Sequence, residues 1–388
     1  MRKVYVVGGG AIRIGEHWTF SLRDLMVHAA EKAIEDAGID KKDVEAIYVG
    51  NMSSGPLQGQ EHLGPLLATW LGVPGVAGYK VEAACASGGA ALHNAFLAVA
   101  SGLYSCVLAL GVEKMSDALT ADLTSALIMA DDQEYVAFTG TSFVGLNALV
   151  YRAYMERFRV RQEDIALFAV HDHKYAVNNP YAQFRREISV DDVLSSPLVA
   201  DPIRLFECAP IGDGAAALIL CSEEFTNRLK TDVLIELAGS AVATDIFSIN
   251  NRDDLLNLKA TRIASERALK MANVDIKDVD VLEVHDAFTI LGVLHLEDLG
   301  LAKKGEGWKL VKEGEIEVGG KIPTNTMGGL KARGHPVGAT GMYQALEILT
   351  QLRGEAGKNQ VEDAEVGLAQ NVGGLGGTVT INVFRRVR

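Results

Sequence analysis

The chain of 388 residues is poor in cysteine, proline and aromatic side chains. Its four cysteines form no C-x-x-C pair and no disulfide-framework spacing, which favours free thiols in a reducing compartment. Nine prolines against 40 glycines predict many tight turns and close backbone approaches. Every uninterrupted apolar run is shorter than the roughly 18 residues that cross a membrane, so we expect no transmembrane helix.

Positive charge is also scarce, with 37 Lys and Arg against 50 Asp and Glu and a net charge of −13. Nucleic-acid binding usually needs a basic face, so it is not expected here. A local basic patch could still hold a phosphorylated small ligand. The apolar run near the N-terminus is too short for a secretion signal, and we therefore expect a cytoplasmic protein that binds neither nucleic acid nor membrane.

Short apolar runs alternate with helical patterns along the chain. Strands are expected at residues 4–7, 46–49 and 106–110, and an amphipathic helix is expected over residues 22–37, ended by Gly38. Such alternation predicts an α/β fold with a largely buried sheet.

The sequence also repeats itself at an offset of 235 residues. Between residues 31–49 and 266–284, eight of 19 positions are identical, far more than chance gives, so a helix–loop–strand unit has been duplicated. The repeat predicts two similar halves, residues 1–230 and 231–388. Residues from about 116 to 205 have no counterpart in the second half and are expected to form an inserted lid or substrate-binding subdomain.

Cys85 is the first candidate for chemistry. It lies among small residues just before a helix expected at residues 90–100, where the helix N-terminus favours the thiolate. His335 occupies the corresponding loop of the second half, so a pseudo-twofold axis could bring the two side chains together. A cysteine with a positioned histidine is the minimum apparatus for thiolate nucleophilic catalysis. Alone, each is equally compatible with a packed core cysteine or a loop histidine.

Two further segments complete the candidate site. His285 follows the duplicated strand directly, at a strand end where site residues of α/β proteins are common, although it could simply cap that strand. Gly373 belongs to a glycine-rich turn whose backbone can approach a ligand closely. His171 and His173, two positions apart, suggest a metal only weakly, because such a pair does not share one face of a strand or helix. No metal is expected.

Taken together, these segments resemble the thiolase superfamily over nearly the whole chain, and within it the sterol-carrier-protein-type and archaeal branch. The motifs that carry the resemblance are Cys85 in its loop, Gly111-Val-Glu-Lys-Met-Ser116, Asp213-Gly-Ala-Ala-Ala217, Val284-His-Asp-Ala-Phe288, Gly334-His-Pro-Val-Gly338 and Asn371-Val-Gly-Gly374. The resemblance implies that Cys85 becomes acylated, that His335 is its acid and base, and that His285 stabilises an enolate oxygen. It also implies an oxyanion hole made by the backbone N–H groups of Cys85 and Gly373, and duplicated halves that form a body of α-β-α-β-α layers.

The chain departs from the family at one point. Most thiolases carry a second reactive cysteine, at the position of Asn371 or at that of Ala287, and this chain has neither. Cys208 is the only spare cysteine in a motif-like setting, and its sequence position does not match. The second proton transfer is therefore assigned to His335 or His285; without it, the chain would transfer acyl groups but form carbon–carbon bonds inefficiently.

The resemblance implies an acetyl-CoA C-acetyltransferase that condenses two acetyl-CoA into acetoacetyl-CoA and CoA and supplies the mevalonate pathway of isoprenoid biosynthesis. No cofactor is implied beyond coenzyme A as part of substrate and product. The implied partners are further copies of the chain in a dimer or tetramer, and a multienzyme complex with 3-hydroxy-3-methylglutaryl-CoA synthase and a small OB-fold protein. Two alternatives remain: a degradative 3-ketoacyl-CoA thiolase of broader chain length, and a non-catalytic acyl-CoA-binding scaffold.

Overall fold

A computed structural model describes residues 1–229 and 233–387. The expected boundary between the halves, at residues 230 and 231, lies outside the described residues. The strands are β1 Val4–Ala11, β2 Ala46–Gly50, β3 Ala77–Val81, β4 Cys106–Glu113, β5 Leu198–Ala200, β6 Ile203–Arg204, β7 Gly214–Ser222, β8 Ile235–Thr244, β9 Val281–Glu283, β10 Val366–Gly373 and β11 Thr378–Arg386. The helices are α1 Leu22–Ala37, α2 Ser54–Gln58, α3 Leu63–Leu71, α4 Ser87–Ala100, α5 Thr120–Ile128, α6 Phe143–Phe158, α7 Gln162–Ala176, α8 Val190–Ser195, α9 Glu223–Thr226, α10 Lys259–Ala272, α11 Thr289–Asp298, α12 Gly307–Lys312 and α13 Thr340–Arg353.

Nine strands form one mixed sheet in the order β3-β2-β4-β7-β1-β8-β11-β10-β9. Apart from the edge strand β3, the order is symmetric about the antiparallel contact of β1 with β8, where Tyr5 faces Glu236 and Val6 faces Ile235. On either side of that contact the strands correspond in pairs: β1 to β8, β7 to β11, β4 to β10 and β2 to β9. The topology therefore confirms the duplicated halves, and it adds that their strands join into a continuous hydrogen-bonded sheet.

Capping interactions within short stretches of sequence determine the bounds of the repeated helix–loop–strand unit. Helix α1 begins at a capping box between Ser21 and Asp24 and ends at Gly38, whose φ of 64° is a conformation that glycine adopts without strain. Asp40 and Asp275, 235 positions apart, each form a capping box at the start of a short 3-10 turn. The same short-range interactions thus rebuild the same turn in both halves.

The layers follow from which strands each helix contacts. Helices α4 and α13 pack on strands of both halves and share one buried apolar cluster with them. Helices α1 and α3 cover the outer face of the first half, and α10 covers that of the second. This is the expected α-β-α-β-α layering, with α4 and α13 in the middle layer.

The two halves differ in the connection that follows β4 and β10. Residues 114–213 join β4 to β7 and carry α5 to α8 and the small sheet of β5 with β6, whereas a turn of four residues, 374–377, joins β10 to β11. The extra segment of the first half is the one expected from sequence, and its role as a lid stays a prediction. Among the described residues, no helix is long and apolar enough to cross a membrane.

Candidate active site

Cys85 lies in a tight turn between β3 and α4. The preceding residue, Ala84, has a φ of 52°, a left-handed conformation that is uncommon for a residue with a Cβ. The hydroxyl of Ser87 locks the turn by donating to the carbonyl of Ala84 (2.6 Å) and accepting from the N–H of Ala83 (2.9 Å). Helix α4 begins at Ser87, three residues earlier than expected, so the thiol stands directly before its first turn.

The starts of α4 and α13 meet at glycines. A Cβ on Gly88 would lie 2.9 Å from the carbonyl oxygen of Gly338, and one on Gly341 would lie 2.3 Å from the backbone nitrogen of Gly89. Both distances are shorter than real Cβ contacts, so only glycine allows the two helices to approach this closely. The loop before α4 carries Cys85, and the loop before α13 carries His335.

The approach brings three functional side chains together. The sulfur of Cys85 and one ring nitrogen each of His285 and His335 all lie within 4.8 Å of one another, and all three residues are buried. The two imidazoles meet edge to face, with ring centroids 5.1 Å apart. The structure thus gathers all three catalytic candidates that the sequence singled out.

Cys85 does not rest as a thiolate, contrary to the expectation from its place before a helix. Burial raises the pKa of its thiol to about 12, and the nearby carboxylate of Glu113 adds to the rise. The backbone N–H groups of Gly374 and of Cys85 itself act in the opposite direction and are outweighed. Desolvation of the charged form is here a larger effect than the helix N-terminus.

His335 is a neutral base. Burial, reinforced by Arg333 and Lys331, lowers its pKa to about 3. The hydroxyl of Thr340 donates to the carbonyl of Pro336 (3.3 Å), so it accepts the hydrogen on Nδ1 of His335 (2.7 Å). This assignment leaves the lone pair of His335 on Nε2.

His285 has the opposite tautomer, and Asn371 sets it. The amide oxygen of Asn371 accepts from the N–H of Gly89 (3.1 Å), which fixes the orientation of the amide. Its nitrogen then donates to the carbonyl of Cys85 (3.0 Å) and to Nδ1 of His285 (3.1 Å). Because Nδ1 accepts, neutral His285 carries its hydrogen on Nε2. Burial lowers the pKa of His285 well below its usual value, and the neighbouring imidazole of His335 acts in the same direction.

The three groups are close enough to share a metal ion, but their protonation does not suit one. A soft divalent cation would need lone pairs from both imidazoles and a thiolate. Nε2 of His285 offers a hydrogen instead, for as long as Asn371 donates to Nδ1. The absence of a metal from the function stays a prediction.

Glu113 joins the loop after β2 to the loop before α13 by hydrogen bonds. Its carboxylate accepts from the backbone N–H groups of Met52 (2.6 Å), Ser53 (3.2 Å) and Gly338 (3.2 Å). These bonds hold a loop of each half against one buried carboxyl group, and they partly offset the rise that burial causes in its pKa. The sequence alone predicted no role for Glu113, Thr340 or Asn371, because hydrogen-bond partners do not follow from the spacing of residues along the chain.

Other sequence candidates lie elsewhere. The backbone of Cys208 pairs with that of Phe288 in an isolated antiparallel β-bridge, close to the loop of His285. Its side chain is not among the three that converge. His171 and His173 are buried in α7, where His171 bonds the carbonyl of Thr324 (2.7 Å) and His173 that of Arg186 (2.9 Å). His171 thus joins the inserted segment to the second half, whereas His173 is bonded within that segment. Gly373 ends β10, and its role as an oxyanion donor stays a prediction.

A buried cysteine beside two buried histidines, on duplicated α/β halves, fits the class of thiol-dependent transferases. Family models confirm this and give it a name: residues 4–224 match "Thiolase, N-terminal domain" and residues 241–386 match "Thiolase C-terminal domain-like". The chain belongs to the thiolase family and is an acyltransferase.

Individual relatives agree with this assignment. The chain is 46% identical over 386 residues to an acetyl-CoA acetyltransferase of Methanothermobacter thermautotrophicus, covering 100% of both proteins. It is 35% identical over 398 residues to sterol carrier protein 2 of Gallus gallus, covering 99% of this chain and 72% of that protein. Among solved structures, the Ltp2-ChsH2(DUF35) aldolase matches with a TM-score of 0.86 and 22% identity over 100% of this chain and 98% of that one, a likeness of fold alone.

Proposed function

We propose that the protein is an acetyl-CoA C-acetyltransferase that condenses two acetyl-CoA into acetoacetyl-CoA and CoA through an acyl-Cys85 intermediate. The observation that carries the proposal is the convergence of Cys85, His335 and His285 within 4.8 Å. The relatives named acetyl-CoA acetyltransferase, 46% and 45% identical over almost their whole length, support acetyl-CoA as the substrate.

In the first half-reaction, Nε2 of His335 takes the proton of the Cys85 thiol as the sulfur attacks the thioester carbonyl. The bond from carbon to the sulfur of CoA then breaks, and the leaving thiolate receives that proton. Since the resting pair is a neutral thiol and a neutral imidazole, the proton moves only as the attack proceeds. The backbone N–H groups of Cys85 and Gly373 are proposed to hold the oxyanion, and one such donor typically contributes about 3 kcal/mol.

In the second half-reaction, a proton leaves the α-carbon of another acetyl-CoA, and His285 stabilises the enolate oxygen. The carbanion attacks the acyl carbon, the carbon–sulfur bond to Cys85 breaks, and Cys85 regains a proton. The side chain that removes the α-proton is His335 or His285.

Mass spectrometry tests the covalent step. Incubation with acetyl-CoA, quenched in acid, is expected to add one acetyl group to the peptide that contains Cys85. Cys85→Ala should show none, and Cys208→Ala serves as a matched control that acylates as the wild type does. Acetylation that persists in Cys85→Ala would overturn the proposal.

Chain length distinguishes acetoacetyl-CoA from longer substrates. Thiolysis of 3-ketoacyl-CoA esters of increasing length is expected to be fastest for acetoacetyl-CoA. A profile that peaks at longer chains would favour the degradative thiolase instead, and wild-type turnover no faster than that of His335→Ala would favour a scaffold.

We further propose a dimer or tetramer in the cytoplasm, in complex with 3-hydroxy-3-methylglutaryl-CoA synthase and a small OB-fold protein that draw acetoacetyl-CoA into the mevalonate pathway. Condensation of two thioesters is uphill, so a consumer of the product would drive it. Co-purification of the three proteins after co-expression, followed by light scattering, tests it; elution of this chain as a monomer alone would refute it.

A further inference from the structure

We propose that His335 is the base for both proton transfers, and that Asn371 is the positioning residue that makes this so by holding His285 as a hydrogen-bond donor. The inference rests on the proposed condensation and settles which side chain replaces the missing second cysteine. It follows from hydrogen bonds whose direction the backbone dictates.

The orientation of Asn371 admits no alternative. A backbone N–H can only donate and a backbone carbonyl can only accept, so Gly89 faces the amide oxygen and Cys85 faces the amide nitrogen. The second hydrogen of that nitrogen points at Nδ1 of His285, 3.1 Å away. Asn371 is 2% exposed, so water does not compete for these bonds.

His285 is therefore unable to act as the base while Asn371 is in place. A neutral imidazole has one lone pair, and that of His285 is used by Asn371 on the side away from the reaction. Its Nε2–H is the atom left to face substrate, and an N–H is what stabilises a developing enolate oxygen. Among the described residues, no hydrogen bond engages Nε2 of either His285 or His335.

One base is sufficient because it is neutral again before each step. His335 takes the Cys85 proton and gives it to the departing CoA thiolate, which ends the first half-reaction with Nε2 free. It then takes the α-proton of the second acetyl-CoA and returns it to Cys85 when the carbon–sulfur bond breaks. Protons and electron pairs balance in each half, and neither an oxidant nor a second thiol is required.

Tautomers in the wild-type protein provide the direct test. Protein labelled with nitrogen-15 histidine, with signals assigned through His285→Gln and His335→Gln, is expected to show hydrogen on Nε2 of His285 and on Nδ1 of His335. Hydrogen on Nδ1 of His285 would overturn the proposal, whatever the activity.

Asn371→Asp provides the kinetic test. A carboxylate accepts from Nδ1–H and reverses the tautomer of His285, so condensation is expected to fall by about 100-fold or more, the usual loss for one oxyanion donor. Acetylation of Cys85, which needs only His335, should fall less than condensation does, so the ratio of the two rates is the readout. Asn359→Asp, also at a buried asparagine that donates to a backbone carbonyl, controls for burying a carboxylate away from the site.

The role of donor can be separated from that of base at His285 itself. His285→Asn keeps an N–H donor and removes any base, so it is expected to condense at least about tenfold faster than His285→Ala. Equal loss in both variants would identify His285 as the base and refute the inference. If Cys85 is not acetylated at all, the proposed function fails instead, so the two failures remain distinguishable.

Discussion

Gly341 offers a quantitative test of the contact between α4 and α13. A methyl group at this position would lie 2.2 Å from the amide oxygen of Asn371 and 2.3 Å from the nitrogen of Gly89. It would therefore occupy the space of the hydrogen bond that those two atoms form. Gly341→Ala must either break this bond or separate the helices.

The loss of unfolding free energy in Gly341→Ala can be worked out from these contacts. Overpacking of a tight core costs about 1–3 kcal/mol, and leaving a buried N–H unpaired costs about 1–3 kcal/mol more. The higher helix propensity of alanine offsets about 1 kcal/mol of this loss. We expect Gly341→Ala to lose about 3 kcal/mol of unfolding free energy, measured by urea titration.

Gly145→Ala is the matched control. Gly145 also lies in the first turn of a helix, α6, but its added Cβ would meet neighbours at 3.4 and 3.5 Å, which is ordinary contact. This variant should be as stable as wild type or up to about 1 kcal/mol more stable. If Gly341→Ala were equally well tolerated, the close approach of α4 and α13 would not be what positions the site.

Three further predictions concern the same region. Glu113→Gln removes a charge that raises the pKa of Cys85, so iodoacetamide should inactivate it faster than wild type at pH 8, by about tenfold for each unit that the pKa falls; an unchanged rate would contradict this. Ala84→Gly should raise and Ala84→Val lower the free energy of unfolding by about 1 kcal/mol, because only glycine accepts a φ of 52° without strain; calorimetry that reverses this order would refute it. Asn371→Asp should bind Zn²⁺ about 10–100 times more tightly than wild type in isothermal titration, since a carboxylate on Nδ1 frees Nε2 of His285 for the metal, and equal affinities would contradict the assigned tautomer.

Much of the fold could be predicted because its signals are local or repeated. Helix α1 has the predicted bounds, since an N-terminal capping box and a terminal glycine lie within the helix's own sequence. The repeat at 235 residues placed Cys85 and His335 in corresponding loops, and the symmetric sheet confirms that the loops meet. Joining of the halves through β1 and β8 was not predicted, because strand pairing between distant segments leaves no pattern in either one.

The protonation states of the site residues were harder to predict than which residues form the site. Cys85 was expected to be a thiolate because a helix start is visible in sequence, whereas the burial that dominates its pKa depends on residues from both halves. Asn371 could be recognised as a departure from the family, but not as the residue that sets a tautomer. That role requires partners 282 and 286 positions away in the chain, at Gly89 and Cys85.

The glycine contact between α4 and α13 also limits how such a site can change over evolution. Because main chain meets main chain at Gly88 and Gly341, the spacing of nucleophile and base has no intervening side chain whose size could be adjusted in small steps. New reactivity must come instead from substituting side chains of the site while the backbone contact between α4 and α13 stays the same. Asparagine at position 371, where the family resemblance implies a thiol, is a group of this kind, because its amide bonds to Gly89, Cys85 and His285 without altering the contact of the two helices.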